Sequence, residues 1–351
     1  MSLFAQLTLK SVVATTLLAL GLASPTMAAD KTLTVISFGG ASGDAMKSAY
    51  FTPFAEKTGV KLTPGDYNGE FSKVRAMVET KNVSWDVVEV ESPEMVRGCE
   101  EGLLEEINWD KVGKDHLLPQ AVSKCGMGAF VWSTVIAYDK DKLKTAPKNW
   151  ADFWNVKDFP GKRALRKGAK YTLEFALMAD GVPAADVYKT LATPEGVDKA
   201  FKKLDELKPN IQWWEAGAQP PQWLIAGDVV MSSAYNGRVA AAQKEGKPLA
   251  IAWDQSIYDM DYFTIVKGSK SVDTALEFMK FASQADTQAA YSKQIPYGPV
   301  NPKAVDTLPE DQAKQLPTYK ENLAGAIAID TQFWVDNGEE LEQRFNAWAA
   351  K

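Results

Sequence analysis

The chain has 351 residues, 46% of them hydrophobic and 24% charged, with a formal net charge of −6. That length suits about two domains with apolar cores, and the acidic balance argues against a nucleic-acid partner, which needs a basic face. A single histidine, His116, and two cysteines, Cys99 and Cys125, leave little material for His- or Cys-based catalysis or for a metal centre.

The N-terminus reads first. Lys10 is the only charge before Asp30, residues 11–23 are apolar or small, and Pro25, Thr26 and Ala28 form a small-residue cleavage region. This is a secretory signal-peptide pattern, with the cut expected after Ala28, leaving 323 residues and a formal charge of −7. The apolar run is short for about 30 Å of hydrocarbon, and no later run is long enough to span a membrane. The rest of the chain is therefore expected to be soluble in the periplasm.

Beyond the cut, strands are predicted over 33–38, 60–62 and 85–90, with helices over 42–57 and 71–79 between them. A strand over 129–138, a short helix over 149–155 and a strand over 162–165 follow. Helices come next over 172–178 and 193–207, the second opened by Thr193–Pro194–Glu195. Gln219–Pro220–Pro221–Gln222 reads as a loop, 228–235 as a strand, and Asn236–Gly237–Arg238 as a turn before a helix over 239–244. A strand over 262–266, a helix over 272–282, a Pro-rich loop at 296–302 and a helix over 337–349 complete the chain. Strands alternating with helices predict an α/β fold with mainly parallel sheets. Two such lobes without a clear linker imply that the chain passes between them more than once.

No nucleophile elbow, metal-ligand cluster or phosphate loop stands out. Gly39–Gly40–Ala41–Ser42–Gly43 follows a strand and opens a helix, so it reads either as a tight turn or as a ligand-facing loop. Cys99 and Cys125 pair as a disulfide in an oxidising compartment or remain buried thiols; the disulfide is the expectation. Neither a cofactor nor a metal is expected, and no enzymatic activity.

Several segments together resemble the periplasmic polyamine-type (spermidine/putrescine) binding proteins of ABC transporters. These are the strand into Gly39–Gly40, Trp85–Asp86–Val87–Val88, Glu101–Gly102–Leu103 and Asn149–Trp150–Ala151–Asp152–Phe153–Trp154 before Pro160–Gly161. Asn236–Gly237–Arg238 and Tyr297–Gly298–Pro299–Val300–Asn301–Pro302 complete the set. The resemblance implies a type II two-lobed binding protein, each lobe a mainly parallel sheet flanked by helices, joined by crossover strands. One lobe would be 29–134 with 261–305, the other 135–260 with 306–351. It implies a small-molecule ligand in the cleft, permease subunits as partners and a monomeric state.

The departures point to a branch that binds ω-amino acids. The acidic residues that hold one ammonium in polyamine binders fall near Gly168 and Tyr171, where this chain carries Arg166, Lys167 and Lys170. The acid for the other amine persists as Asp261, and the aromatics as Tyr235 and Tyr297. Asp261 would take an ammonium and Arg238 a carboxylate, as in γ-aminobutyrate or 5-aminovalerate. Trp132, Ser92, Gly39, Gly40, Tyr171, Trp214 and Gln219 complete the expected site. A polyamine receptor is the alternative, and a chemosensory receptor or an unrecognised enzyme lies further off.

Overall fold

The computed structural model describes Lys31–Lys351. The signal peptide expected over 1–28 lies outside the described residues.

Eight strands build the sheet's main path: β1 (Thr32–Ser37), β2 (Lys61–Asp66), β3 (Val87–Val90), β4 (Gly126–Asp139), β5 (Arg163–Arg166), β6 (Ile211–Trp214), β7 (Met231–Tyr235) and β8 (Leu249–Ile265). Two short strands, β9 (Gly298–Pro299) and β10 (Ile327–Ala328), attach to β4 and β8. The order along the path is β2-β1-β3-β8-β4-β7-β5-β6. β1 runs parallel to β2 and β3, and β5 parallel to β6 and β7. The two outer trios therefore repeat one arrangement. Between them β4 and β8 form a long antiparallel ribbon, β8 pairing with β3 over 262–265 and β4 with β7 over 134–138.

Parallel neighbours need crossover helices, and the sequence supplies them. A helical stretch from Gly40–Met46 through Thr52–Thr58 joins β1 to β2, and Ser72–Glu79 follows β2. In the second trio Thr172–Ala179 and Pro194–Leu207 link β5 to β6, and Gln219–Ala226 links β6 to β7. Thr193 caps Pro194–Leu207 by accepting from the Gly196 amide at 3.1 Å. β3 and nearly all of β4 are buried, as their apolar runs require.

Four expectations need correction. Gln219–Pro220–Pro221–Gln222 is the start of a helix, because prolines in the first turn lose no intrahelical hydrogen bond. Asn236–Gly237–Arg238 is likewise the first turn of the helix Asn236–Lys244. The strand expected over 262–266 is the end of the 17-residue β8, whose Asp254, Gln255, Ser256, Asp259 and Asp261 disguise it. The last helix starts at Thr331, capped by Asp330, which accepts from the Phe333 amide. It packs on Trp213 through Phe345 and Trp348 and also touches the helix Ser92–Glu100.

Cys99 and Cys125 form a disulfide with their Cα atoms 5.6 Å apart. It ties the helix Ser92–Glu100 to the chain entering β4.

Candidate functional site

The carboxyl ends of β1, β3, β5 and β7 meet beside the central ribbon, where α/β sheets commonly hold ligands. β1 runs into Gly39–Gly40, β3 into Glu91 and Ser92, and β7 into Tyr235 and the helix that carries Arg238. A narrow cavity there is lined by Glu89, Glu91, Trp132, Tyr235, Arg238, Asp261 and Tyr297, with Phe38, Ser42 and Phe130. Its free volume is about 20 Å³. A second chamber of about 230 Å³, bounded by Gly39, Gly40, Asp66 and the loop 216–218, opens on the other side of Arg238.

The two ends of the cavity differ in charge. Arg238 is 6% exposed, and its Nε and Nη1 have no hydrogen-bond partner although both are buried. Such donors are costly unless something accepts from them. Glycines make room for the guanidinium: a Cβ on Gly40 would lie 2.6 Å from Arg238 Nη1, and one on Gly217 would lie 3.5 Å from Nε.

The acids form the other end. Asp261 accepts from Trp132 Nε1 at 2.6 Å, and Glu89 from the Phe38 amide at 3.1 Å. Burial first, and then the neighbouring Glu89, push the Asp261 carboxyl well above its ordinary range. Glu91 behaves oppositely. Burial would raise it, but Lys170 at 2.6 Å and Arg166 at 3.0 Å outweigh that and hold it at about 2. Lys170 also reaches Glu94 at 3.0 Å. Burial, then the charge of Glu91, raises Asp259 to about 7.

Aromatic rings wall the space. Tyr297 stacks on Phe130 at 4.9 Å, and Trp132 meets Tyr235 edge-on at 4.9 Å. Rings so placed suit an alkylammonium passing between them.

Five of the residues expected from sequence, Trp132, Tyr235, Arg238, Asp261 and Tyr297, thus line one cavity, and Gly39 and Gly40 bound the chamber beside it. The others sit behind. The Tyr171 hydroxyl donates to Glu91 at 3.2 Å and lies 3.4 Å from Asp259. The Ser92 amide points to Asp259 and its hydroxyl pairs with Thr331. Trp214 is fully buried, donates to Ser233 and packs edge-on against Tyr235. Gln219 accepts from the amides of Glu215 and Ala216, which shapes the chamber's loop.

Sequence reading missed Glu89 and Glu91. Two acids at i and i+2 share a face of a strand, and an acid inside the otherwise apolar Val87–Val90 is a legible anomaly.

Comparison with known proteins identifies the chain's relatives. Residues 49–321 match a family described as bacterial extracellular solute-binding protein. A gamma-aminobutyric acid-binding protein of Pseudomonas aeruginosa is 60% identical over 336 residues, covering 95% of this chain and 96% of that one. A spermidine/putrescine-binding periplasmic protein of Salmonella typhimurium is 23% identical, covering 76% of this chain and 78% of its own length. Among solved structures, a GABA receptor superposes with a TM-score of 0.81 at 34% identity, over 92% of this chain and 98% of its own.

Proposed function

The chain belongs to the bacterial extracellular solute-binding proteins, and from that premise we propose that it captures γ-aminobutyrate or a close ω-amino acid for an ABC importer. The observation that carries the reading is one cavity with opposite ends. Arg238 offers two buried, unpaired donors, and Asp261 with Glu89 offers carboxyls. A carboxylate on Arg238 and an ammonium on the acids satisfies both at once. Relatives named for γ-aminobutyrate at 60% and 34% identity support the ligand class.

In this reading the protein works in the periplasm after cleavage behind Ala28, as a monomer that presents its ligand to permease subunits. Its lobes are 29–134 with 261–305 and 135–260 with 306–351; the two outer strand trios joined by β4 and β8 support that division. Tyr171, Ser92, Trp214 and Gln219 then act by holding the walls. A polyamine receptor is the second reading, favoured by the cluster of Glu89, Glu91, Asp259 and Asp261. Against it, Glu91 is already neutralised by Arg166 and Lys170, and Arg238 would repel a second ammonium.

Calorimetric titration of two variants decides. Removing one partner of a desolvated charge pair costs about 2–5 kcal/mol, roughly 30- to several-thousand-fold in affinity. Asp261→Asn should weaken every amine ligand. Arg238→Met should weaken γ-aminobutyrate and 5-aminovalerate strongly, yet leave putrescine unchanged or improved. Intact ω-amino acid binding in Arg238→Met, or a wild type that prefers diamines, overturns the proposal.

A further inference from the structure

We propose that Glu89 and Asp261 form one two-carboxylate ammonium site, which holds a single shared proton until a cation arrives, so that ligand capture releases a proton to solvent. The inference rests on the ω-amino acid reading above and extends it to the chemistry of the amine end.

The geometry begins with adjacent strands. Glu89 stands on β3 opposite Phe263 of the antiparallel β8, and Asp261 lies two residues from Phe263 on the same face of that strand. Both residues are buried, at 1% and 4% exposure, and both line the cavity. Two carboxyls on one strand face, buried around one small cavity, resist both ionising unless a cation joins them.

Among the described residues, none of the cations around the cavity is ion-paired with Glu89 or Asp261. Arg166 and Lys170 are bound to Glu91, and Lys170 also to Glu94. Arg238 lines the same cavity, makes no ion pair with either acid, and favours charge on Glu89. Glu91, held charged by its cations, and Asp259, itself raised to about 7, face Asp261 and oppose its ionisation. Tyr50, Tyr67 and Tyr291 face Glu89, and burial raises all three, so these hydroxyls stay neutral. Tyr235, Tyr262 and Tyr297, close to Asp261, are raised by burial in the same way.

An incoming ammonium changes the balance. It brings three donors and one positive charge, enough to satisfy two carboxylates together. In that step the O–H bond of the carboxyl pair breaks, its proton leaves to solvent, and the ammonium takes its place with no other bond made or lost. Linkage then requires affinity to rise about tenfold per pH unit while the free pair holds its proton, and to level off above that range.

The test is titration with γ-aminobutyrate in mildly acidic buffers of different ionisation enthalpy. The slope of observed against ionisation enthalpy should correspond to release of close to one proton in the wild type. It should fall towards zero in Glu89→Gln, whose amide donates to a charged Asp261. Binding by the wild type without proton release overturns the proposal. Absence of binding by γ-aminobutyrate and 5-aminovalerate would instead overturn the functional reading. The pair is then read without ligand, by carbon-13 NMR of labelled carboxyl groups. A signal titrating above the ordinary carboxyl range in the wild type and missing from Asp261→Asn supports it, and its absence from the wild type refutes it.

Discussion

Arg238 carries its positive charge in the first turn of the helix Asn236–Lys244, where the backbone dipole already concentrates positive potential. Nothing in the helix rewards that placement, whereas a bound carboxylate would be rewarded by both. The guanidinium keeps its position because Gly40, at φ 55°, has no side chain to displace it. Gly40→Ala would add about 1–2 kcal/mol of left-handed strain and push Arg238 aside. Affinity for γ-aminobutyrate should drop roughly tenfold or more, read by calorimetry, with the fold retained by circular dichroism. Glu174 illustrates a different residue-scale effect. It is fully buried, accepts from Trp334 Nε1 at 2.7 Å and the Tyr188 hydroxyl at 3.1 Å, and burial raises it to about 7. Its folded value lies above its unfolded one, so the charge opposes folding. Stability is full below about pH 4.5, declines as pH rises towards 7, and then levels off, a change on the order of 3 kcal/mol. Urea melts of Glu174→Gln should lack this share of the wild-type decline, and an unchanged decline would show that Glu174 is not its source.

At the scale of elements, the disulfide and the central ribbon have different duties. Cys99–Cys125 closes a 26-residue separation and fixes the helix Ser92–Glu100, whose N-terminal end adjoins Glu91. Loop closure of that length is worth about 3 kcal/mol in the chain-entropy model. Cys99→Ala with Cys125→Ala should lower the denaturation midpoint accordingly, and an unaltered midpoint would mean the bridge adds no stability. The ribbon contains irregularities instead of staples. Its register shifts between Thr134 and Ile136 of β4, opposite the stretch of β8 where Gln255 takes φ 60°. Trp150 Nε1 donates to the Gln255 carbonyl at 3.0 Å. A break in pairing lets a long strand bend, which suits a segment that joins two lobes.

The whole molecule shows how the cavity is shut. Glu91 and Glu94 follow the first strand trio, Arg166 ends the first strand of the second trio and Lys170 lies just beyond it, and their ion pairs bridge the two. A cavity of about 20 Å³ admits no solute without widening, so lobe opening is the expected route of entry. Arg166→Met with Lys170→Met would leave Glu91 buried and uncompensated, favouring the open form. Small-angle scattering should then show a larger radius of gyration than wild type, and added γ-aminobutyrate should compact the wild type. Identical profiles in both comparisons would count against closure. Glu91 is depressed to about 2 by these partners, so its contribution to closure persists above about pH 4.5 and is lost as pH falls through 2.

What the sequence determined by itself was local or ordered along the chain. Alternating strands and helices, the Pro-rich loop beside Tyr297, and the charges of Arg238 and Asp261 were all legible. Each reflects backbone preference or side-chain chemistry at one position. β8 was legible only at its apolar end, because Ser256, Asp259 and Asp261, which look solvent-facing, are buried there. The partnerships were invisible. Glu91 meets Arg166 across 75 residues and Asp261 meets Trp132 across 129. No periodicity encodes which distant charges become neighbours. Whether an acid stays charged, loses its charge to a partner or shares a proton depends on burial and on what faces it, and folding alone brings those surroundings together.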